Sequence, residues 1–265
     1  MSKRILPALL FFFLSAAPSY ALNTERLSPQ ENEMLRSILT RLDPVISQLK
    51  ENGNANLLSW ETMIGSISES EIGFIDSMRK IKAEKLGATS HYFGESQKQL
   101  ELVQLAPRKI ARGGKTIEID AQYLPSEVFK AYNEMMSAMR SDIGKILFVE
   151  SGYRSPAYQL YLFMFFMPKH GYSIRETNRF VALPGYSEHG NPERQAIDFI
   201  NEEGINGEDH PEEFEALEEY KWLLKNAGRF GFYLSYPRNN IYNTSFEPWH
   251  WHYENSKQRH AASNQ

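Results

Sequence analysis

The segment Phe-Glu-Pro-Trp-His-Trp-His-Tyr, residues 246–253, holds the densest group of aromatic and titratable side chains in the chain. Pro248 favours an extended conformation for the residue before it and disfavours a continuous helix through the segment. Side chains of a strand alternate between two faces, so His250 and His252 share one face and the aromatic rings share the other. We therefore predict a strand that packs through its aromatic face, with Glu247 reaching the two imidazoles from the turn before it.

Two imidazoles beside a carboxylate suit a catalytic zinc ion, which takes three protein ligands and leaves a fourth position for water. Bound zinc lowers the pKa of that water to about 7, and a neighbouring carboxylate can accept its proton. A stacking surface or an ordinary core edge rich in aromatic residues would show the same pattern. The segment alone leaves these interpretations open.

Residues 196–200, Ala-Ile-Asp-Phe-Ile, are a second strand candidate and carry one acidic side chain. Alternation places Asp198 on the opposite face from Ile197 and Phe199. Because an unpaired buried carboxylate is very costly, Asp198 either faces solvent on an edge strand or has a cationic partner. His189 precedes it by nine residues, in a turn-rich segment of the kind that often carries ligands.

Residues 146–149, Ile-Leu-Phe-Val, are a buried strand candidate that leads into Ser-Gly-Tyr-Arg-Ser at residues 151–155. The guanidinium of Arg154 is permanently charged and forked, so it is suited to hold a carboxylate or a developing oxyanion. Taken alone, the pattern favours a surface arginine at a strand end.

Helical periodicity is found in three parts of the chain. Apolar residues recur at helical spacing between residues 27 and 85, which predicts two or three amphipathic helices, the first starting at Ser28. Further helices are predicted over 125–140 and over 209–227, the latter capped by Asp209.

Two further segments, 116–120 and 232–236, alternate like strands. Helices followed by strands that are interleaved with helices indicate an α+β fold. The 265 residues, 42% of them hydrophobic, are typical of a globular protein and are enough to bury a core.

The composition argues against some functions. The chain has no cysteine and a formal net charge of −4, with no sustained block of Lys or Arg. Affinity for nucleic acids rests on neutralising phosphates, so no nucleic-acid partner is expected. Without thiolates, any metal must be bound by His, Asp and Glu.

The first residues have the pattern of a secretory signal peptide. Lys3 and Arg4 precede an apolar run over residues 5–14, and small residues at 19 and 21 suit cleavage after Ala21. An uncleaved anchor is the alternative, although the run is shorter than the roughly 20 residues that span a bilayer. No later segment is long and apolar enough, so we expect no stable membrane span after signal cleavage.

Several motifs occur in one order and together resemble the VanY-type D-alanyl-D-alanine carboxypeptidases, which are zinc peptidases of bacterial cell-wall peptides. The resemblance runs from about residue 146 to residue 253 and leaves the N-terminal helices outside. It rests on Ser151-Gly152-Tyr153-Arg154-Ser155 with Gln159, Pro184-Gly185-Tyr186-Ser187-Glu188-His189, Ala196-Ile197-Asp198, Gly231-Phe232 with Ser235-Tyr236-Pro237, and Glu247-Pro248-Trp249-His250.

The resemblance implies an α+β fold with a small antiparallel sheet flanked by helices, preceded here by an N-terminal helical region. It implies a Zn2+ ion bound by His189, Asp198 and His250. It further implies that Glu247 is the general base and that Arg154 polarises the scissile carbonyl and stabilises its oxyanion.

Three more residues are assigned to substrate binding. Ser187 and Gln159 stand where the family places polar groups near the substrate. His252 stands where many relatives carry arginine, and related zinc peptidases bind the metal through the second histidine of such a pair. The spacing from Glu247 favours His250 as the ligand, which leaves His252 as an outer-sphere or substrate-side group.

One spacing departs from the family pattern. The family places the histidine and aspartate ligands seven residues apart with a glycine between them, whereas here they are nine apart and Arg194 stands near the place of the glycine. A two-residue loop extension containing Asn191-Pro192 would explain the difference, because surface loops absorb insertions at little cost.

We therefore predict a signal peptide over 1–21, a helical accessory region over 22–100, a zinc peptidase domain over 101–254 and a flexible tail over 255–265. The predicted protein is a secreted, periplasmic zinc peptidase that hydrolyses peptidoglycan stem peptides as a D-alanyl-D-alanine carboxypeptidase. An endopeptidase of peptidoglycan cross-links and a catalytically idle wall-binding protein are the alternatives.

Overall fold

The computed structural model describes residues 21–87, 91–95, 100–112, 114–191, 193–242 and 244–255. The predicted signal peptide, apart from Ala21, and the predicted tail, apart from Asn255, lie outside the described residues. Pro192 of the predicted loop extension lies outside them as well.

Three helices form the N-terminal part: α1 (Pro29–Glu51), α2 (Trp60–Gly65) and α3 (Glu69–Arg79). The predicted helix start is confirmed, because Ser28 and Glu31 form a reciprocal capping box in which each side chain accepts from the other's backbone N–H. The buried residues of α1 recur every three or four positions and form one apolar stripe: Leu35, Ile38, Leu42 and Ile46.

Two short antiparallel strand pairs follow. Strand β1 (Leu102–Leu105) pairs with β4 (Gln122–Pro125), and β2 (Arg108–Arg112) pairs with β3 (Lys115–Ile119). The strand predicted over 116–120 is therefore confirmed as β3. Strand β4 leads directly into helix α4 (Ser126–Ile143), which confirms the predicted helix over 125–140.

The central sheet has four antiparallel strands in the order β5-β6-β8-β7. Its strands are β5 (Leu147–Ser151), β6 (Ala196–Asn201), β7 (Phe232–Leu234) and β8 (His250–Tyr253), each within or overlapping a predicted strand. The remaining helices are α5 (Pro156–Phe166), α6 (Ile174–Thr177), α7 (Pro211–Ala216) and α8 (Glu218–Asn226). The fold is α+β, with a small antiparallel sheet, flanking helices and an N-terminal helical region, as predicted.

The prediction of one helix over 209–227 capped by Asp209 is wrong. The segment contains two helices, α7 and α8, separated at Leu217, whose backbone is extended (φ −60°, ψ 146°), and the cap position of α7 is taken by His210. The break lets the rings of Phe214 and Tyr220 meet edge to face, with their centroids 6.0 Å apart. In a continuous helix, residues six apart point about 120° away from each other, so both rings would not reach the same core.

Two large buried apolar cores hold most of the elements together, and a smaller cluster of Ile110, Ile119 and Ile200 joins β2 and β3 to β6. The first joins α1 and α3 to α5 and to the residues between Met167 and Tyr186. The second joins α4 and α8 to the central sheet. The N-terminal helices thus share a core with α5, which lies beyond the predicted domain boundary at residue 100. Within the described residues, no helix combines the length and the apolar composition needed to cross a membrane.

Candidate metal centre

Strand pairing and one turn bring three predicted metal ligands together. His189 lies in the 3-10 turn Glu188–Gly190, Asp198 lies in β6, and the register of β6 with β8 places His250 directly opposite Asp198. Donor atoms of the three side chains all lie within 4.8 Å of one another. Oδ2 of Asp198 is 3.1 Å from Nε2 of His189, and Oδ1 is 2.8 Å from Nδ1 of His250.

The other nitrogen of each imidazole is held by an acceptor. Nδ1 of His189 lies 2.7 Å from the carbonyl oxygen of Gly152, and Nε2 of His250 lies 2.9 Å from Oε2 of Glu188. A carbonyl oxygen only accepts, so Nδ1 of His189 carries the proton and Nε2 is left to bind a cation. In His250 the two nitrogens are exchanged, because Nδ1 faces Asp198 and Nε2 contacts Glu188. Contacts such as those of Gly152 and Glu188 orient metal-binding imidazoles.

The electrostatics of the three donors are strongly perturbed. Burial and the nearby Arg154 lower the pKa of His189 to about 4, which favours the neutral imidazole that a metal requires. Burial disfavours charge on His250 and Asp198 alike, but each stabilises the charged form of the other. The pKa of His250 is therefore raised and that of Asp198 is held well below its usual range. A bound cation would displace the proton at Nδ1 of His250, because metal ligands must be deprotonated.

Glu247 lies in the turn before β8, and its Oε2 is 3.9 Å from Nδ1 of His250. The turn is fixed by two backbone hydrogen bonds, from the N–H of Glu247 to Tyr236 and from the N–H of His250 to Glu247. Burial raises the pKa of Glu247 to about 7, although His250 acts in the opposite direction. A carboxylate with a pKa near neutrality can both accept and donate a proton at physiological pH.

Arg154 is mostly buried, which differs from the surface arginine that its own segment favours. Its Nη2 lies 3.8 Å from Oδ2 of Asp198, and its backbone N–H donates to the carbonyl of His189 at 3.0 Å. Its Nε is buried and has no hydrogen-bond partner in the part of the chain that the structure describes. A charged side chain with an unused donor beside the candidate metal ligands is suited to bind an oxyanion.

Ser187 and Gln159 are both buried. Oγ of Ser187 accepts from the backbone N–H of His189 at 3.3 Å, so it caps the turn that carries this histidine. Nε2 of Gln159 on α5 donates to the carbonyl of Ala182 at 2.7 Å, while its Oε1 lacks a partner among the described residues. Their predicted contacts with substrate stay predictions.

His252 is buried and lies outside the group of three donors. Its Nδ1 is 2.7 Å from Oγ of Ser235 and its Nε2 is 3.2 Å from Oε1 of Glu254. The same Ser235 hydroxyl contacts Oε2 of Glu188 at 2.5 Å. His252 therefore occupies an outer position, separated from the donor group by Ser235 and Glu188.

No role is predicted from sequence for Glu188, which is 2% exposed and connects His250 to a buried polar network. Its other oxygen accepts from Nε of Arg194 at 2.6 Å, and Nη1 of Arg194 also pairs with Glu254. Burial would raise the pKa of Glu188, but contacts with His250 and Arg194 hold it well below its usual range. Two features of the sequence could have indicated this role. Glu188 directly precedes the predicted ligand His189, and Arg194 stands near the position where the family carries a glycine.

The α+β fold brings two imidazoles and one carboxylate together, and beside them lie a carboxyl group with a pKa near 7 and a buried arginine. This is the composition of a metallohydrolase centre. Comparison with known proteins gives the particular family. A family model described as VanY, D-alanyl-D-alanine carboxypeptidase, matches residues 121–256, and the chain belongs to this family.

Curated relatives are similar over part of their length. The chain is 32% identical over 142 residues to the putative carboxypeptidase YodJ of Bacillus subtilis (strain 168), covering 53% of this chain and 50% of that protein. It is 40% identical over 80 residues to a D-alanyl-D-alanine carboxypeptidase of Enterococcus faecalis (strain ATCC 700802 / V583), covering 29% of this chain and 26% of that protein. The chain thus spans 50% of the length of the first relative and 26% of the length of the second.

Two solved structures are similar at 26% sequence identity. One is a mutant of the vancomycin-resistance D,D-pentapeptidase VanY from the VanB-type cassette in complex with Zn(II), with a TM-score of 0.46 over 64% of this chain and 86% of that one. The other is VanYB in complex with D-alanine-D-alanine, with a TM-score of 0.45 over 64% of this chain and 83% of that one.

Proposed function

We propose that this protein is a zinc-dependent D-alanyl-D-alanine carboxypeptidase that acts on peptidoglycan stem peptides. The observation that carries the proposal is the convergence of His189, Asp198 and His250, with Glu247 and Arg154 at the same group. Two nitrogen donors and one carboxylate oxygen, without thiolates, match the three-ligand sets of catalytic zinc sites. Membership of the VanY family supports the substrate class.

In the proposed reaction, zinc would supply Lewis-acid polarisation and acidify water when it is bound. Glu247 accepts a proton from the attacking water and passes it to the departing amine, for which its pKa near 7 is suited. Arg154 donates a hydrogen bond to the oxygen on which negative charge develops, and its permanent charge is most effective in this buried setting. Gln159 and Ser187 would complete the polar wall on the substrate side.

The activity is tested with purified protein and defined muropeptides. Pentapeptide stems are expected to lose the mass of one alanine, a chelator is expected to stop the reaction, and added zinc to restore it. Cleavage of cross-linked dimers without loss of alanine would show an endopeptidase, and no product from either substrate would contradict hydrolysis.

The role of Glu247 is tested separately. The variant Glu247→Gln keeps the size of the side chain but cannot accept the proton, so turnover is expected to fall at least 1,000-fold, roughly the upper range for general base catalysis, while zinc stays bound. Glu202→Gln, an exposed glutamate after β6, is the matched control and should keep full activity. Full activity in Glu247→Gln would refute the assignment.

The proposal includes export to the periplasm, which is supported by the charged and apolar pattern of residues 1–21. Expression of the full chain in a bacterium should yield a periplasmic protein whose first residue is Leu22. A cytoplasmic product that retains Met1 would contradict export.

A further inference from the structure

The loop between α1 and α2, residues 53–58, contacts the turn that carries Arg154. The backbone N–H of Ser155 donates to the carbonyl of Asn56 at 2.9 Å, and its hydroxyl donates to the carbonyl of Leu58 at 2.6 Å. The same hydroxyl oxygen accepts from the N–H of Tyr158 and caps α5. The residue after Arg154 is thus attached to the N-terminal helical region through both its backbone and its side chain.

The side chain of Asn56 reaches the other end of the same turn. Its Nδ2 donates to Oε1 of Gln122 at 2.8 Å, and this oxygen also accepts from the N–H of Gly152 at 3.0 Å. The carbonyl of Gly152 in turn holds Nδ1 of His189. A continuous series of hydrogen bonds therefore runs from Asn56 to a candidate metal ligand.

Close packing leaves this turn little freedom. A Cβ atom at Gly152 would clash with the carbonyl oxygen of Tyr123, which also accepts from the N–H of Tyr153 at 2.6 Å. The α1–α2 loop is itself fixed on β4, because the hydroxyl of Tyr123 lies 2.9 Å from the carbonyl of Gly53. Gly53 has φ +69°, and a Cβ there would press on Ala121 at 3.0 Å, so the close approach requires glycine.

We propose that Asn56 is a positioning residue that fixes residues 152–155 from both ends, so that Arg154 and His189 keep their orientations toward the reacting group. Asn56 and Gln122 are 4% and 8% exposed, so water does not readily replace their hydrogen bond. Asn56 lies outside the residues that the VanY family model matches. The inference gives the N-terminal helical region a part in catalysis, and it rests on the proposed function.

The test compares two substitutions at Asn56. Asn56→Ala removes the amide, and Asn56→Asp keeps the shape but places a carboxylate against Oε1 of Gln122. Because a shift of about 1 Å at the reacting groups can cost 100-fold in rate, kcat is expected to fall about 10- to 100-fold in both variants, with KM changed less than about threefold and zinc still bound.

Ser77→Ala is the matched control. Ser77 is buried in the same helical region, and its hydroxyl donates to the carbonyl of Gly73 at 2.7 Å, within helix α3. This variant should keep kcat within about twofold of the parent protein. An equal fall of kcat in Ser77→Ala would show general destabilisation and would overturn the proposal, as would an unchanged kcat in a folded Asn56 variant.

A second measurement is independent of catalysis. Amide hydrogen exchange at Gly152 should be faster in Asn56→Asp than in the parent protein, because Gln122, the acceptor of the Gly152 N–H, is no longer held by residue 56. If Asn56→Ala does not fold, the result for Asn56→Asp decides whether Asn56 is a positioning residue. Unchanged exchange at Gly152 would refute the positioning role. If the parent protein releases no alanine from any muropeptide, the proposed function is wrong. The exchange rate at Gly152 is then the test of whether Asn56 fixes the turn.

Discussion

Leu42→Ala tests whether the N-terminal helices and the sheet unfold together. Leu42 lies on the buried stripe of α1 and is fully buried in the first core, which also contains α5. Replacing a buried leucine by alanine costs about 2–5 kcal/mol through lost transfer energy and the cavity left behind. For a chain of this size, each kcal/mol lowers Tm by roughly 2–4 °C, so a fall of about 4–20 °C is expected.

The assay is thermal unfolding followed by two signals in a Trp60→Phe background. Far-ultraviolet circular dichroism reports all helices, and fluorescence then reports the tryptophans that remain, Trp222, Trp249 and Trp251, which pack in or against the second core. Both transitions should shift together in Leu42→Ala. Leu39→Ala, a half-buried position on the same helix, is the control and should shift both transitions less.

The reasoning is refuted if the fluorescence transition stays at the temperature of the parent protein while the dichroism signal separates into two steps. That outcome would mean that the helices of residues 22–100 form an independent unit. A joint shift would mean that the core shared with α5 couples them to the strand and turn that carry the candidate active site.

Two further predictions concern buried carboxylates. Glu188→Gln removes the charge that accepts from Nε2 of His250, so zinc affinity, measured by competition with a chromophoric chelator, should fall about 10- to 100-fold. The control is Glu254→Gln, because Glu254 contacts Arg194 but does not reach His250, and this variant should change zinc affinity much less. Equal zinc affinities in the parent protein and both variants would contradict the role of Glu188. Glu71 behaves differently: burial alone would raise its pKa, but hydrogen bonds from Ser37 and Ser68 and the charge of Arg41 lower it below 4.5. Because the folded pKa is depressed, the advantage of the parent protein over Glu71→Gln in urea unfolding should be full at pH 7 and lost as pH falls through the folded pKa; a difference that does not change between pH 7 and pH 3 would contradict this.

The alternation of β6 and β8 could be predicted from sequence, because a period of two assigns each residue to a face without knowledge of its neighbours. The alternation assigned Asp198 to one face of its strand and His250 to one face of the other strand. In the structure these two faces lie on the same side of the sheet. Their alignment opposite each other depends on strand register, which the two segments do not encode separately. The metal ligand set itself came from the family resemblance.

Other features depend on long-range packing and were not predictable. Nothing near Leu217 breaks helical periodicity, and the interruption there reflects the core that Phe214 and Tyr220 share. The burial of Arg154 depends on contacts with residues far away in the sequence, and so does the contact of Glu188 with His250. An amphipathic pattern in α1 shows that one face is buried but does not name α5 as its partner.

The direct pairing of Asp198 with His250 also determines where the chain can tolerate changes of length. A one-residue slip of β6 against β8 would turn one donor to the opposite side of the sheet and dismantle the centre. The connection between Gly190 and Ala196 lies outside both strands, so residues can be added there while the donors stay in place. A longer connection is therefore compatible with an intact donor group, and the two-residue extension inferred for the nine-residue interval from His189 to Asp198 stays a prediction.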